Sequence, residues 1–149
     1  MRRFITIIGS FFYTGYFPFA SATFASLVWL IAFLFLPHFG WFVKPYSLIL
    51  TFPVAIYASG EMEKYFGHDS SRIVIDEFVG MQVSLLLLKP DPLVAVSGFV
   101  LFRVFDIAKP FPVGRSQKLR GGFGVVVDDV LAGVYSRLVL ALIIRFFLK

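Results

Sequence analysis

The sequence of 149 residues contains no cysteine, and only 15% of its residues are charged. The absence of cysteine excludes disulfides, thiolate metal ligands and a cysteine nucleophile. A soluble domain carries about 25% charged and about 45–50% apolar residues, whereas this chain is 58% hydrophobic with a mean hydropathy of +0.84. Because a domain this small cannot bury so much apolar surface, we predict a single integral membrane domain over residues 1–149, without a secretory signal peptide.

Long apolar segments predict an all-α fold, a polytopic membrane bundle of about five spans. The predicted spans cover residues 22–36, 46–66, 75–88, 93–108 and 128–148. A span needs about 20 residues, so the short third and fourth segments imply either a locally thinned bilayer or helices that begin inside protein. Residues 4–13 are predicted to form an additional interfacial or re-entrant helix.

The charged residues are unevenly divided between the two ends of these spans. Because successive spans alternate in direction, nine of the fourteen basic residues fall on one side, which the positive-inside rule places in the cytoplasm. The same side carries eight of the nine acidic residues, contributed by four segments: Glu61, Glu63, Asp69, Asp76, Glu77, Asp106, Asp128 and Asp129. We therefore expect carboxylates from several spans to gather at one membrane face.

Two predicted spans start with the same pattern of residues. "IVIDEFVG" at residues 73–80 and "VVVDDVLAG" at residues 125–133 each have three β-branched residues, an acid pair and then a glycine. Helix capping explains one such pair, since the helix dipole stabilises first-turn carboxylates. Recurrence instead favours a cation between the pairs, and carboxylate oxygens suit Mg²⁺. The predicted Mg²⁺ ligands are Asp76, Glu77, Asp106, Asp128 and Asp129.

The segment "FRVFDIAKPFP" at residues 102–112 carries a second polar constellation. Arg103, Asp106 and Lys109 are three residues apart and share one helix face. One interpretation is a salt-bridge ladder at the membrane interface. The functional interpretation makes Asp106 a metal ligand, while the two basic side chains bind a phosphate group.

Other polar residues on the same side have both a structural and a functional interpretation. Thr23 and Ser26 either cap the first span or donate hydrogen bonds to a phosphate. Arg115 opens a basic, glycine-rich loop that either closes over an anionic head group or is a plain flexible linker whose basic side chains contact acidic lipids. His68 is either a general acid or base or an ordinary exposed loop histidine.

The residue inventory also limits the chemistry of phosphate ester cleavage. The sequence has no cysteine, no D-x-D motif and no paired histidines. Metal-assisted attack by water therefore remains, and a carboxylate acting as nucleophile or base is the alternative.

A cation-coupled transporter and a lipid phosphotransferase are the alternative functions. A transporter would place acids near mid-membrane, whereas here they gather at one face. A lipid phosphotransferase would carry a D-G-x-x-A-R signature, which this sequence lacks.

The motifs "IVIDEFVG", "FRVFDIAKPFP" and "GGFGVVVDDVLAG", in that order along the chain and at this spacing, resemble the phosphatidylglycerophosphatase A family over roughly residues 15–133. The resemblance implies an Mg²⁺-dependent, multi-pass enzyme of the bacterial inner membrane with its active site facing the cytoplasm. Its substrate would be a phospholipid, phosphatidylglycerophosphate, which it would hydrolyse to phosphatidylglycerol and phosphate. The expected partners are the membrane and this lipid, and no nucleic acid.

The resemblance also assigns roles to individual residues. The expected catalytic residues are Asp69, Asp76, Glu77, Asp106 and Asp129, and Asp69 matches the aspartate of the family's "K-D-P" segment. The expected substrate-binding residues are Thr23, Ser26, Arg103, Lys109 and Arg115. The sequence departs from the family at "ASATFAS", residues 20–26, where the family's "A-P-G-T-x-G-S" has a proline and two further glycines.

Overall fold

The described part of the chain is helical throughout. A computed structural model describes residues 2–68, 70–116, 119 and 121–147. These residues form seven α-helices and contain no β-strand: α1 (Arg2–Gly9), α2 (Ser21–Phe35), α3 (Pro45–Phe66), α4 (Ile75–Ser84), α5 (Pro92–Ala108), α6 (Val113–Ser116) and α7 (Gly122–Phe147). Two short 3₁₀ helices lie at Thr14–Tyr16 and Phe39–Val43. The prediction of an all-α fold is confirmed.

Helix α4 lies at the centre of the molecule. All ten of its residues are buried, because α2, α3, α5 and α7 pack around it. The largest fully buried side chains include Met81 of α4 itself, Trp29 of α2 and Phe102 of α5. At 1.5 Å per residue, α4 is only about 15 Å long. The short third segment is therefore enclosed by protein, one of the two arrangements that its length allows.

The outer surfaces of the surrounding helices are strongly apolar. Among the exposed residues, the solvent-accessible fraction is 78% for Ile49, 59% for Leu138 and 57% for Leu142. One helix in the described ranges, Gly122–Phe147, is both long enough and apolar enough to cross a membrane, and Ser21–Phe35 is a shorter apolar helix. A bundle of five membrane spans, as predicted from the sequence, is therefore not confirmed.

Helices α2, α3 and α5 match the predicted segments to within one residue at either end. Helix α4 ends at Ser84 rather than at residue 88, because the chain turns there and the Leu87 N–H donates to the Val43 carbonyl at 2.8 Å. Asp91 caps α5, where its carboxylate accepts from the Val94 N–H at 2.9 Å.

Two predicted boundaries lie further from those observed. Helix α7 begins at Gly122, six residues before the predicted start of the fifth span. Its acid pair therefore lies about two turns into the helix, beyond the first turn in which the helix dipole stabilises carboxylates. At the N terminus, α1 covers Arg2–Gly9 and packs on α3, and an interfacial or re-entrant position for residues 4–13 stays a prediction.

Candidate active site

The two acid pairs meet where α4 crosses α7. Carboxylate oxygens of Asp76, Glu77 and Asp129 all lie within 4.8 Å of one another. A second group, formed by Asp106 from α5 with Asp128 and Asp129, has the same spacing. Asp129 belongs to both groups. The structure thus brings together all five residues that the sequence suggests as Mg²⁺ ligands, and we call these five residues the acid cluster.

Most of the acid cluster is buried. Asp76, Glu77, Asp128 and Asp129 are each at most 6% exposed. Buried like charges repel, and burial removes the water that would stabilise them. Asp76 Oδ1, Glu77 Oε2 and Asp129 Oδ2 have no hydrogen-bond donor within the described chain, whereas buried polar atoms are normally paired. A divalent cation would satisfy these oxygens, so the donor set fits Mg²⁺, a hard cation that takes oxygen ligands.

Two basic side chains contact the edge of the acid cluster. Arg103 Nη1 donates to Asp106 Oδ2 at 2.7 Å, as a ladder along α5 predicts. Lys109, however, does not continue the ladder, because its Nζ donates to Asp128 Oδ2 of α7 at 2.8 Å. Both predicted phosphate-binding bases therefore lie next to predicted metal ligands.

The ion pair with Asp128 also fixes the charge of Lys109. Burial by itself lowers the pKa of the Lys109 ammonium, but the hydrogen bond with Asp128 and the nearby carboxylates outweigh burial. As a result the pKa of Lys109 is raised above its ordinary value of 10.5. The side chain is therefore a cation at neutral pH.

A polar cavity of about 350 Å³ opens beside the acid cluster. Four of the residues that line it were selected as site residues from the sequence: Asp76, Glu77, Arg103 and, near the start of α2, Thr23. Arg103 Nε is buried and has no acceptor among the described residues. The cavity therefore places an arginine donor next to the predicted metal ligands, which is an arrangement suited to a phosphate group.

Comparison with known proteins identifies the family to which this site belongs. The model of the family Phosphatidylglycerophosphatase A matches residues 7–144. The chain belongs to this family. It is therefore a phosphatase, that is, a phosphoric monoester hydrolase.

Relatives of the chain occur in several bacteria. A protein of Bacteroides thetaiotaomicron named putative phosphatidylinositol-3-phosphatase is 38% identical over 91% of this chain and 90% of its own length. Phosphatidylglycerophosphatase A of Escherichia coli K12 is 32% identical over 84% of this chain and 74% of its own length. The Haemophilus influenzae protein of the same name is 44% identical over 48% of this chain and 45% of its own length. No solved structure matches the chain.

The remaining residues that the sequence analysis assigned to the site lie in different places. Thr23 lines the polar cavity. Ser26 does not, because its buried hydroxyl donates to the Ala22 carbonyl within α2 at 2.9 Å. The guanidinium of Arg115 lies over the Phe111 ring, with its Cζ 5.1 Å from the ring centroid. Arg115 is not among the described residues that line the cavity. Asp69 lies outside the described residues.

His68 has the environment of a loop residue. Its side chain is 61% exposed and contacts Glu63, and it is not among the described residues that line the cavity. The structure therefore gives no geometric support to its interpretation as a general acid or base.

The cavity also contains residues that the sequence analysis did not select. Ser21, Ser70 and Ser71 contribute to its wall, and Ser21 Oγ donates to the Ser71 carbonyl at 2.6 Å. This bond joins the start of α2 to the loop before α4. The signal available in the sequence was the position of Ser21 in a segment that departs from the family pattern, together with two serines next to Asp69.

Proposed function

We propose that this phosphatase hydrolyses phosphatidylglycerophosphate to phosphatidylglycerol and phosphate, with Mg²⁺ as its cofactor. The observation that carries the proposal is the buried acid cluster beside a cavity that contains Arg103. Membership of the family and the names of two relatives support the substrate.

In the proposed reaction, the phosphate group of the lipid enters the polar cavity. Arg103 donates hydrogen bonds to its non-bridging oxygens, and the Thr23 hydroxyl is a further donor. Asp76, Glu77 and Asp129 would hold Mg²⁺, which supplies positive charge against the phosphoryl oxygens and helps to activate the attacking water. Water attacks phosphorus and a carboxylate of the acid cluster accepts its proton. The P–O bond to glycerol breaks, and the same carboxyl group returns that proton to the departing alcohol oxygen.

An apolar groove next to the cavity supports a lipid substrate. The groove has a volume of about 500 Å³, and Val100, Val104 and Ile107 of α5 contribute to its wall. Thr23 and Arg103 line both the groove and the polar cavity. When the phosphate group of a lipid lies in the cavity, the acyl chains of that lipid would therefore lie against the apolar groove. Burial of apolar surface in this way is favourable.

We also propose that the protein is a multi-pass protein of the bacterial inner membrane with its site at the cytoplasmic face. The apolar outer surface supports insertion, and α4 would be enclosed by the helices that contact lipid. The excess of basic residues at the end of the bundle that carries the acid cluster supports the orientation.

A second candidate substrate is a phosphatidylinositol phosphate. The relative from Bacteroides thetaiotaomicron, which this chain matches over 90% of its length, is named for activity on such a lipid. Both candidates are phosphate monoesters on a lipid, so the same acid cluster and cavity would serve either. They differ in the alcohol that leaves, which is a glycerol in one and an inositol ring in the other.

The experiment measures phosphate release by the purified protein in mixed micelles. Phosphatidylglycerophosphate, phosphatidylinositol 3-phosphate and phosphatidic acid are compared with Mg²⁺ and with a chelator. We expect the highest kcat/KM on phosphatidylglycerophosphate and loss of activity with the chelator. A preference for the inositol lipid would replace the first substrate by the second, and full activity in the chelator would reject the Mg²⁺ mechanism.

A further inference from the structure

The acid cluster contains more carboxylates than one cation requires. Mg²⁺ in enzymes is usually held by one or two carboxylates together with waters and substrate phosphates. Here five carboxylates form two overlapping groups, each compact enough to surround one cation, and Asp129 is common to both. The geometry therefore provides two positions rather than one.

The charges of the site favour the same conclusion. Five carboxylates are accompanied by two bases, Arg103 and Lys109. With a single divalent cation the ionised site would still carry a formal charge of −1, and it would then repel an incoming phosphate dianion. A second divalent cation makes the formal charge +1, which attracts the dianion.

The two positions differ in how their carboxylates are already paired. Asp106 and Asp128 of one group each accept a hydrogen bond from a base, Arg103 or Lys109. In the other group, Asp76, Glu77 and Asp129 form no salt bridge with a base among the described residues, and each has a buried oxygen without a donor. The group of Asp76, Glu77 and Asp129 therefore depends more strongly on a cation, and it should bind one more tightly.

We propose that the chain binds two divalent cations, a tight one among Asp76, Glu77 and Asp129 and a weaker one among Asp106, Asp128 and Asp129. Asp129, which belongs to both groups, would contribute its carboxylate to both ions. Cations in two-metal sites of phosphate-processing enzymes are about 3.5–4 Å apart. The inference rests on the proposed cation-dependent phosphatase, because it describes the cofactors of that same site.

The test uses Mn²⁺ as a paramagnetic probe of the full-length protein in detergent. Binding stoichiometry is measured by equilibrium dialysis, and electron paramagnetic resonance reports whether the bound ions are close together. We expect two Mn²⁺ per chain with affinities at least about tenfold apart, and a spin-coupled signal that appears only after the first equivalent has bound. One Mn²⁺ per chain, or two without coupling, would overturn the inference.

Substitutions test the assignment of the two positions. Asp106→Asn should retain the tight ion with an uncoupled signal, whereas Asp76→Asn should lose the tight ion. Glu61→Gln is the control, because Glu61 pairs with Lys64 outside the acid cluster, and it should keep the coupled pair. A coupled pair in Asp106→Asn would contradict the assignment. The wild-type titration decides the number of ions even where a variant does not fold.

The same measurements separate this inference from the proposed function. Lipid phosphate hydrolysis by protein that binds a single Mn²⁺ would retain the function and reject the two-cation site. A coupled pair in a protein that hydrolyses none of the lipid phosphates would support the site and reject the function.

Discussion

The carbonyl oxygen of Gly80 lies 2.5 Å from the position that a Cβ atom on Gly133 would occupy. Helices α4 and α7 therefore approach so closely at this point that residue 133 has no room for a side chain. Each glycine follows an acid pair by about one turn, so this contact also fixes the distance between the pairs. The recurring pattern of acid pair and glycine is thus a pattern for bringing carboxylates together.

The first prediction concerns this helix contact. Gly133→Ala forces α4 and α7 apart, because the new methyl group would meet the Gly80 carbonyl and Val83. Overpacking of this kind costs typically 1–3 kcal/mol. We expect a comparable loss in the free energy of unfolding and a weaker affinity for Mn²⁺, measured by denaturant titration and equilibrium dialysis.

Gly40→Ala is the matched control for this substitution. A Cβ at Gly40 would have no atom within 4 Å, so stability and Mn²⁺ affinity should stay at the wild-type values. Wild-type Mn²⁺ affinity in Gly133→Ala would show that the close approach of α4 and α7 does not position the acids.

The second prediction concerns Asp129, which belongs to both carboxylate groups. Asp129→Asn removes one of several buried like charges, so the metal-free protein should unfold at a higher temperature than the wild type. The variant should lose Mg²⁺-dependent phosphate release and most of its stabilisation by the ion. For the wild type, a ligand at 100 times its Kd adds about 2.7 kcal/mol. Thermal unfolding with and without Mg²⁺ measures both effects, and full activity in this variant would remove Asp129 from the mechanism.

The third prediction concerns Arg103 in the polar cavity. Arg103→Lys keeps the positive charge but loses the planar fork that binds Asp106 and, in the proposed mechanism, a phosphate as well. A hydrogen bond to a charged group contributes about 1.5–3 kcal/mol, so kcat/KM should fall roughly 10- to 150-fold. The tight Mn²⁺ ion should remain, because Arg103 forms no salt bridge with that group. Unchanged kinetics would exclude Arg103 from phosphate binding.

The sequence predicted the helical class, three helices to within one residue, and the five members of the acid cluster. Local apolar runs and repeated motifs carry that information. It did not predict the early start of α7, because the glycine-rich residues 121–124, where the helix begins, are typical of a flexible loop. The Lys109–Asp128 ion pair and the serines of the cavity wall depend on contacts between distant parts of the chain, and periodicity along a single helix contains no signal for such contacts.

The fourth prediction is a pH dependence caused by Lys109. Because its pKa in the folded protein is raised above 10.5, its ion pair stabilises the fold fully below about pH 10.5, and this contribution is lost as the pH rises through the folded-state pKa. Lys109→Arg should retain the stabilisation at higher pH, since arginine stays charged. Lys109→Met should lack it throughout. Unfolding temperatures between neutral and strongly alkaline pH measure the difference, and identical alkaline profiles for all three proteins would contradict this role.

The fifth prediction tests whether the groove beside the cavity holds an acyl chain. Val104→Trp fills part of the groove, whereas Val96→Trp places the same side chain on α5 at an exposed position outside the groove lining. We expect Val104→Trp to raise KM several-fold for a long-chain lipid phosphate and to leave hydrolysis of a short-chain, water-soluble analogue unchanged. Val96→Trp should behave as the wild type on both. The short-chain analogue reports on the acid cluster and the polar cavity alone. Equal losses of activity on the two substrates in Val104→Trp would therefore mean that the substitution distorts the site. No loss of activity on either substrate would mean that the acyl chains lie elsewhere.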